Sequence, residues 1–113
     1  MSRRHETRER VRERWPLLSN MMVCHFNEDL NVLYGSFEGA VAAAARDGSL
    51  KHRPTILKEW RDWNATEGAV HDIRRPLVDG FSVAVYFKKP ADARDFMNRV
   101  YEALLARVKE QTR

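Results

Sequence analysis

Trp15-Pro16-Leu17-Leu18-Ser19-Asn20-Met21-Met22-Val23-Cys24-His25-Phe26-Asn27-Glu28 is the stretch whose reading decides the fold. Proline is tolerated in the first turn of a helix, where its missing N–H has no partner to lose, so a helix is predicted from near Trp15 to about Glu28. Leu18, Met22 and Phe26 form one (i, i+4) row, and Leu17, Met21 and Cys24 lie beside it. That apolar coverage is wider than the stripe of an ordinary surface helix and implies burial on more than one side. The uncharged run Trp15–Asn27 spans only 13 residues and includes Ser19, Asn20 and His25. A bilayer span needs about 20 apolar residues, so this is a central core helix.

Toward the C-terminus, Asn27, Glu28, Asp29 and Asn31 mark a polar break. Tyr34-Gly35-Ser36 then supplies a glycine turn and a serine N-cap for a second helix, Phe37 to about Arg46. Ala40 and Ala42–Ala45 let that helix approach a neighbour closely, and Asp47-Gly48 suits its end. A third helix opens at Arg53-Pro54 and carries Ile56, Leu57, Trp60 and Trp63 at offsets that share a face, with Trp60 as a core candidate. Asn64–Gly68 reads as a turn. Val70–Val78 is strand-like but interrupted by Pro76. After Asp79-Gly80, Phe81, Val83, Val85 and Phe87 alternate with Ser82, Ala84 and Tyr86, which predicts a strand over 81–87. Its ladder partner is residues 70–78, a stretch near Asn31–Tyr34, or another chain. From Pro90 a last helix sets Ala93, Phe96, Met97, Val100, Leu104 and Val108 at helical offsets, with Asp92 and Asp95 early and Arg107 and Lys109 late, as the helix dipole favours. The expected fold is mainly α, a small domain of about four helices with a short β strand or hairpin near residues 70–87, in the α+β sense.

The whole chain is 113 residues with a net charge of +4, but the charge is uneven. Residues 1–14 hold six arginines against Glu6, Glu9 and Glu13, a net +3, which leaves +1 for residues 15–113. We therefore divide the chain into a charged N-terminal arm, 1–14, and a single helical domain, 15–113. Interleaved pairs such as Glu6 and Arg10 support an exposed helix more than a phosphate-binding tail. With Val11 as its single aliphatic residue after Met1, the arm is expected to bury little area. Met-Ser-Arg-Arg-His-Glu lacks the apolar run of a secretory signal, so a cytoplasmic location is expected. The single cysteine, Cys24, makes no internal disulfide, and it is read as a buried thiol beside a core-edge histidine.

The search for chemistry assigns no catalytic residue, no metal ligand and no cofactor. The five glycines are scattered, so they form no phosphate-cradling loop, and no pair among His5, His25, His52 and His71 has the (i, i+4) spacing of a metal site. Cys24 and His25 are neighbours, and consecutive helical side chains point apart, which is unsuited to a nucleophile and its base. Glu28 and Asp29, without a partner histidine or metal, are read as solvated or capping groups. Candidate exposed aromatics are Trp15, Trp63 and Tyr86. Trp60-Arg61-Asp62-Trp63 concentrates two of the residue types that usually anchor protein interfaces.

Trp15 to Leu30, continuing through Tyr34-Gly35-Ser36-Phe37-Glu38 to Ala40 and Ala44, resembles the immunity proteins of bacterial contact-dependent growth inhibition (CDI) systems. The resemblance lies in an aromatic-Pro-x-Leu helix start, a helix ending in an aromatic (Phe26), an acidic turn with Asp29, and Tyr34-Gly35-Ser36 opening an alanine-containing helix; it covers residues 15–46. It implies a cytoplasmic protein without catalysis that binds the C-terminal toxin domain of a cognate CDI effector and occludes its active site or substrate surface. The matched residues look like scaffold. Toxin-binding candidates are therefore taken from elsewhere as well: basic residues Arg61, Arg74 and Arg75 facing an acidic patch, or an acidic cluster of Glu28, Asp29, Glu59 and Asp62 facing a basic cleft, with Trp63 as an aromatic candidate beside them. The alternative function is a small nucleic-acid-associated regulator or antitoxin using the arginine-rich arm, which the near-neutral body makes the weaker reading.

Overall fold

The computed structural model describes residues 3–27, 35–47 and 52–111. Five α-helices run in chain order: α1 (Arg3–Arg14), α2 (Pro16–His25), α3 (Phe37–Asp47), α4 (Arg53–Ala65) and α5 (Pro90–Gln111). A single π turn, Pro76–Gly80, lies between α4 and α5. The molecule is mainly helical, as the periodicities predict.

Pro16 separates α1 from α2 for a local reason. Trp15 and Ser19 still donate to the carbonyls four residues back, at 2.8 Å each, but Pro16 has no N–H to give Arg12, so the chain bends there. α2 is central, packed against α1, α3 and α4. Leu18, Met22 and Phe26 are fully buried, and Phe26 meets Phe96 of α5 edge-on at 4.9 Å. α3 packs along α5, and its Ala40, Ala43 and Ala44 are nearly inaccessible. The expected glycine and serine at its start behave as read: Gly35 sits at φ +78°, and Ser36 Oγ accepts the Gly39 N–H at 3.0 Å. At its end, Arg53 Nε donates to Ala45 O at 3.0 Å, placing a guanidinium on the carbonyl pole of the helix. Gly48, expected as the cap, and Glu28, Asp29 and Tyr34 lie outside the described residues.

Three expectations are corrected. First, the strand or hairpin near 70–87 does not form; among the described residues there is no strand. Ile73, Leu77 and Phe81 recur every four residues and are all fully buried, so a helical period competes with the alternating one, and Pro76 suits a helix start. The turn closes with the Val83 N–H on Leu77 O, while Ser82 takes the left-handed conformation usually given to glycine after a helix, at φ 57°. Beyond it the alternation survives in burial alone: Val83 and Phe87 are buried and Ala84 and Tyr86 exposed. The Ala84 N–H is satisfied by Phe26 O at 2.8 Å, at the end of α2, and not by a ladder. Second, the arm contributes to the core. Val11 is fully buried, and α1 packs on the π turn, where the Gly80 position leaves it room. Third, Cys24 is exposed and its neighbour His25 is buried, with Nδ1 2.8 Å from Met21 O.

Deleting residues 1–12 removes Val11 from the core together with the Arg10–Glu67 pair, so the truncated protein is expected to lose roughly 1.5–3 kcal/mol from the valine alone. A thermal melt is the check. An unchanged Tm would show that α1 is not part of the folded unit.

Candidate protein-binding surface

Most of the candidate residues hold the molecule together. Glu59, on α4, reaches the start of α2, where its Oε1 accepts the N–H groups of Leu17 and Leu18 at 3.0 Å each. Those are two of the unsatisfied donors that open any helix, and Trp15, the residue at the cap position, supplies no side-chain acceptor of its own. One turn on, Asp62 Oδ2 accepts the Trp15 indole N–H at 2.7 Å and pairs with Arg14 at 3.2 Å. Arg14 also lies over the Trp15 ring, 4.9 Å from its centroid. Just past α4, Glu67 takes Arg10 at 2.6 Å. Glu59, Asp62 and Glu67 thus form a carboxylate row that receives α1 and the first turn of α2.

Trp63 is fully buried, against Phe81 at 5.5 Å, and so presents nothing to a partner. Its neighbour Gly68 sits so close that a Cβ there would come within 2.7 Å of the indole. Trp15 is buried as well, which leaves Tyr86 as the one exposed member of the aromatic trio. Arg61 donates Nε and Nη2 to the Tyr101 hydroxyl at 2.9 and 2.8 Å. Of the acidic set, Glu59 and Asp62 face α1 and α2, and Glu28 and Asp29 lie outside the described residues; of the basic set, Arg61 is on α4 beside α5, held to Tyr101, and Trp63 is in the core.

Arg74 and Arg75 are different. They lie within the segment 70–90, which carries three of the four exposed large apolar side chains among the described residues, Val70, Val78 and Tyr86. Its inner side is fixed by Ile73, Leu77 and Phe81 in the core. Arg74 is held in place: its Nε and Nη2 grip Asp72 at 3.0 and 2.7 Å, and Nη1 donates to Lys88 O at 3.0 Å, tying the two ends of the segment. Arg75 points out, its side chain 91% accessible and its ion pair with Asp79 a loose 3.7 Å. A shallow cleft of about 350 Å³ lies among Arg74, Arg75, Val78, Asp79, Val85 and Tyr86. A second, of about 460 Å³, runs from the Arg75–Asp79 ridge to Val70 and to Thr7 and Arg10 of α1. Val78 was not singled out from sequence. The four-residue recurrence of Ile73, Leu77 and Phe81 would have turned it outward.

Among the described residues no group of three His, Cys, Asp or Glu side chains could hold a metal ion, and no helix is long and apolar enough to cross a membrane. The arrangement offers a surface that is basic at Arg75 and apolar at Val78 and Tyr86.

The Arg74 hydrogen bonds hold the Asp72 carboxyl below its ordinary 3.8, at about 2, the side-chain bond contributing most. A depressed acid stabilises the fold above its unfolded value and stops doing so as pH falls through its folded value. Asp72→Asn should accordingly melt lower than wild type at neutral pH, by a small margin because the pair is exposed. The gap should shrink steadily between pH 4 and 2. A gap undiminished at pH 2 would show that the carboxylate is not its source. No family model, curated protein or solved structure matches this chain.

Proposed function

We propose that this protein is an immunity protein that binds the C-terminal toxin domain of a cognate CDI effector and neutralises it by covering its active site or a substrate-docking surface. Two things support this reading. One is the resemblance over residues 15–46. The other, which carries most weight, is the exposed Arg75–Val78–Tyr86 surface, set on a segment whose inner side is locked into the core. Tyrosine and arginine are the residue types that concentrate binding energy in protein interfaces, and a preformed surface spares the entropy of ordering a loop on binding. In the producing cell the protein works in the cytoplasm, where low free toxin demands nanomolar affinity or tighter, about −12 kcal/mol.

The alternative, a nucleic-acid-associated regulator reading phosphates with the arm, fits less well. Arg10 and Arg14 are already engaged by Glu67 and Asp62, so phosphates would have to compete with those carboxylates for them.

Co-expression of this protein with the toxin domain encoded beside it should rescue growth arrest, and purified protein should abolish toxin activity at one equivalent. Protection at far below one equivalent would point to catalysis and overturn this reading.

A further inference from the structure

Arginine is the abundant cation of this chain, and the partners of the described copies show which of them the fold holds in place. Arg10, Arg14 and Arg74 lie on carboxylates, Arg61 on a tyrosine hydroxyl, and Arg53 on helix-end carbonyls. Arg94 donates to Asn64 and to the carbonyls of Gly68 and Val70, and Arg99 sits between Glu38 and Asp95. Arg75 makes no hydrogen bond to its neighbour Asp79 at 3.7 Å and keeps nine-tenths of its side chain in solvent. It borders the same cleft as Val78 and Tyr86, the latter 86% exposed.

We infer that Arg75, Val78 and Tyr86 are the anchor of the toxin-binding face, and that they receive an acidic patch of the toxin domain: a carboxylate at Arg75, with an apolar group seated between Val78 and Tyr86. This inference rests on the immunity reading. Its sign comes from charge. Residues 70–90 hold Arg74, Arg75, Lys88 and Lys89 against Asp72 and Asp79, a net +2, where the whole of residues 15–113 carries only +1. The local field therefore favours an anionic partner more strongly than the body does. Asp72 is committed to Arg74, and Asp79 meets Arg75 beyond hydrogen-bond length, so an incoming carboxylate with bidentate geometry displaces a weak contact. Cation and aromatic beside apolar side chains also fit a protein better than a nucleic-acid backbone, because Val78, Val85 and Phe87 line the same cleft.

The test measures Kd for the purified toxin domain with wild type, Arg75→Glu, Tyr86→Ala and, as an exposed apolar control on α2, Val23→Ala. Each of the first two variants should weaken binding at least tenfold with an unchanged Tm, since both side chains lie in solvent, and Val23→Ala should bind like wild type. One Asp→Lys or Glu→Lys change on the toxin should restore binding to Arg75→Glu. Wild-type affinity in Arg75→Glu and Tyr86→Ala would overturn this inference while leaving the immunity reading intact. Tighter binding by Arg75→Glu would overturn it too, by showing a basic toxin surface. A wild type that neither binds nor protects would overturn both. Salt-sensitive binding of a labelled single-stranded oligonucleotide, lost in Arg75→Glu, would assign the cleft to nucleic acid instead.

Discussion

The junction of α1 and α2 has a problem that only α4 solves. Pro16 starts α2 after a tryptophan, and tryptophan offers no acceptor for the amides that follow. Unsatisfied amides at a partly buried helix start are costly, each comparable to a lost hydrogen bond. Glu59 meets that demand with one oxygen for two donors, and Asp62 takes the indole N–H of the same tryptophan. Both carboxylates point the same way because they stand three residues apart on one helix. With α2 so fixed, Phe26 is delivered to Phe96, and its carbonyl to Ala84, which anchors the otherwise irregular segment before α5. The segment that carries the proposed surface is thus tied to the core at the C-terminal end of α2.

This arrangement changes how the charge of the chain is understood. Six arginines in the first fourteen residues look like an arm for polyanions when they are counted. In the fold, Arg14 closes onto Asp62 of α4 and Arg10 onto Glu67 just beyond it, and α1 buries Val11 against the π turn. The acidic residues of α4 are spent in the same contacts. The surface around Arg75, whose ion pair with Asp79 is loose, differs from this: there the balance of charge is positive. A growing share of internal pairing therefore narrows the choice between an acidic and a basic partner in a way net charge cannot.

The helices were legible because each carries its own evidence. Pro16, Ser36, Pro54 and Pro90 mark starts, and the apolar offsets in 15–26, 53–63 and 90–108 leave one period open to each. Residues 70–87 misled because two periods overlap there: Phe81, Val83, Val85 and Phe87 alternate, while Ile73, Leu77 and Phe81 recur by four. The helical one wins as far as Phe81, because Ile73, Leu77 and Phe81 all reach the core, and the later residues keep only alternating burial. Tyr86 was legible as an exposed aromatic. The roles of Glu59 and Asp62 were not, since they depend on which helix lies opposite. One signal was available: a helix beginning Trp-Pro without a capping side chain must borrow an acceptor from elsewhere.

Glu59→Ala, followed by chemical denaturation and by toxin binding, separates scaffold from surface most directly. Loss of the shared cap should cost about 1–2 kcal/mol, as cap deletions do, and the folded variant should bind toxin within about twofold of wild type. Unchanged stability together with lost binding would mean that the α4 carboxylates face the partner after all, and that the face around Arg75 is not where the toxin docks.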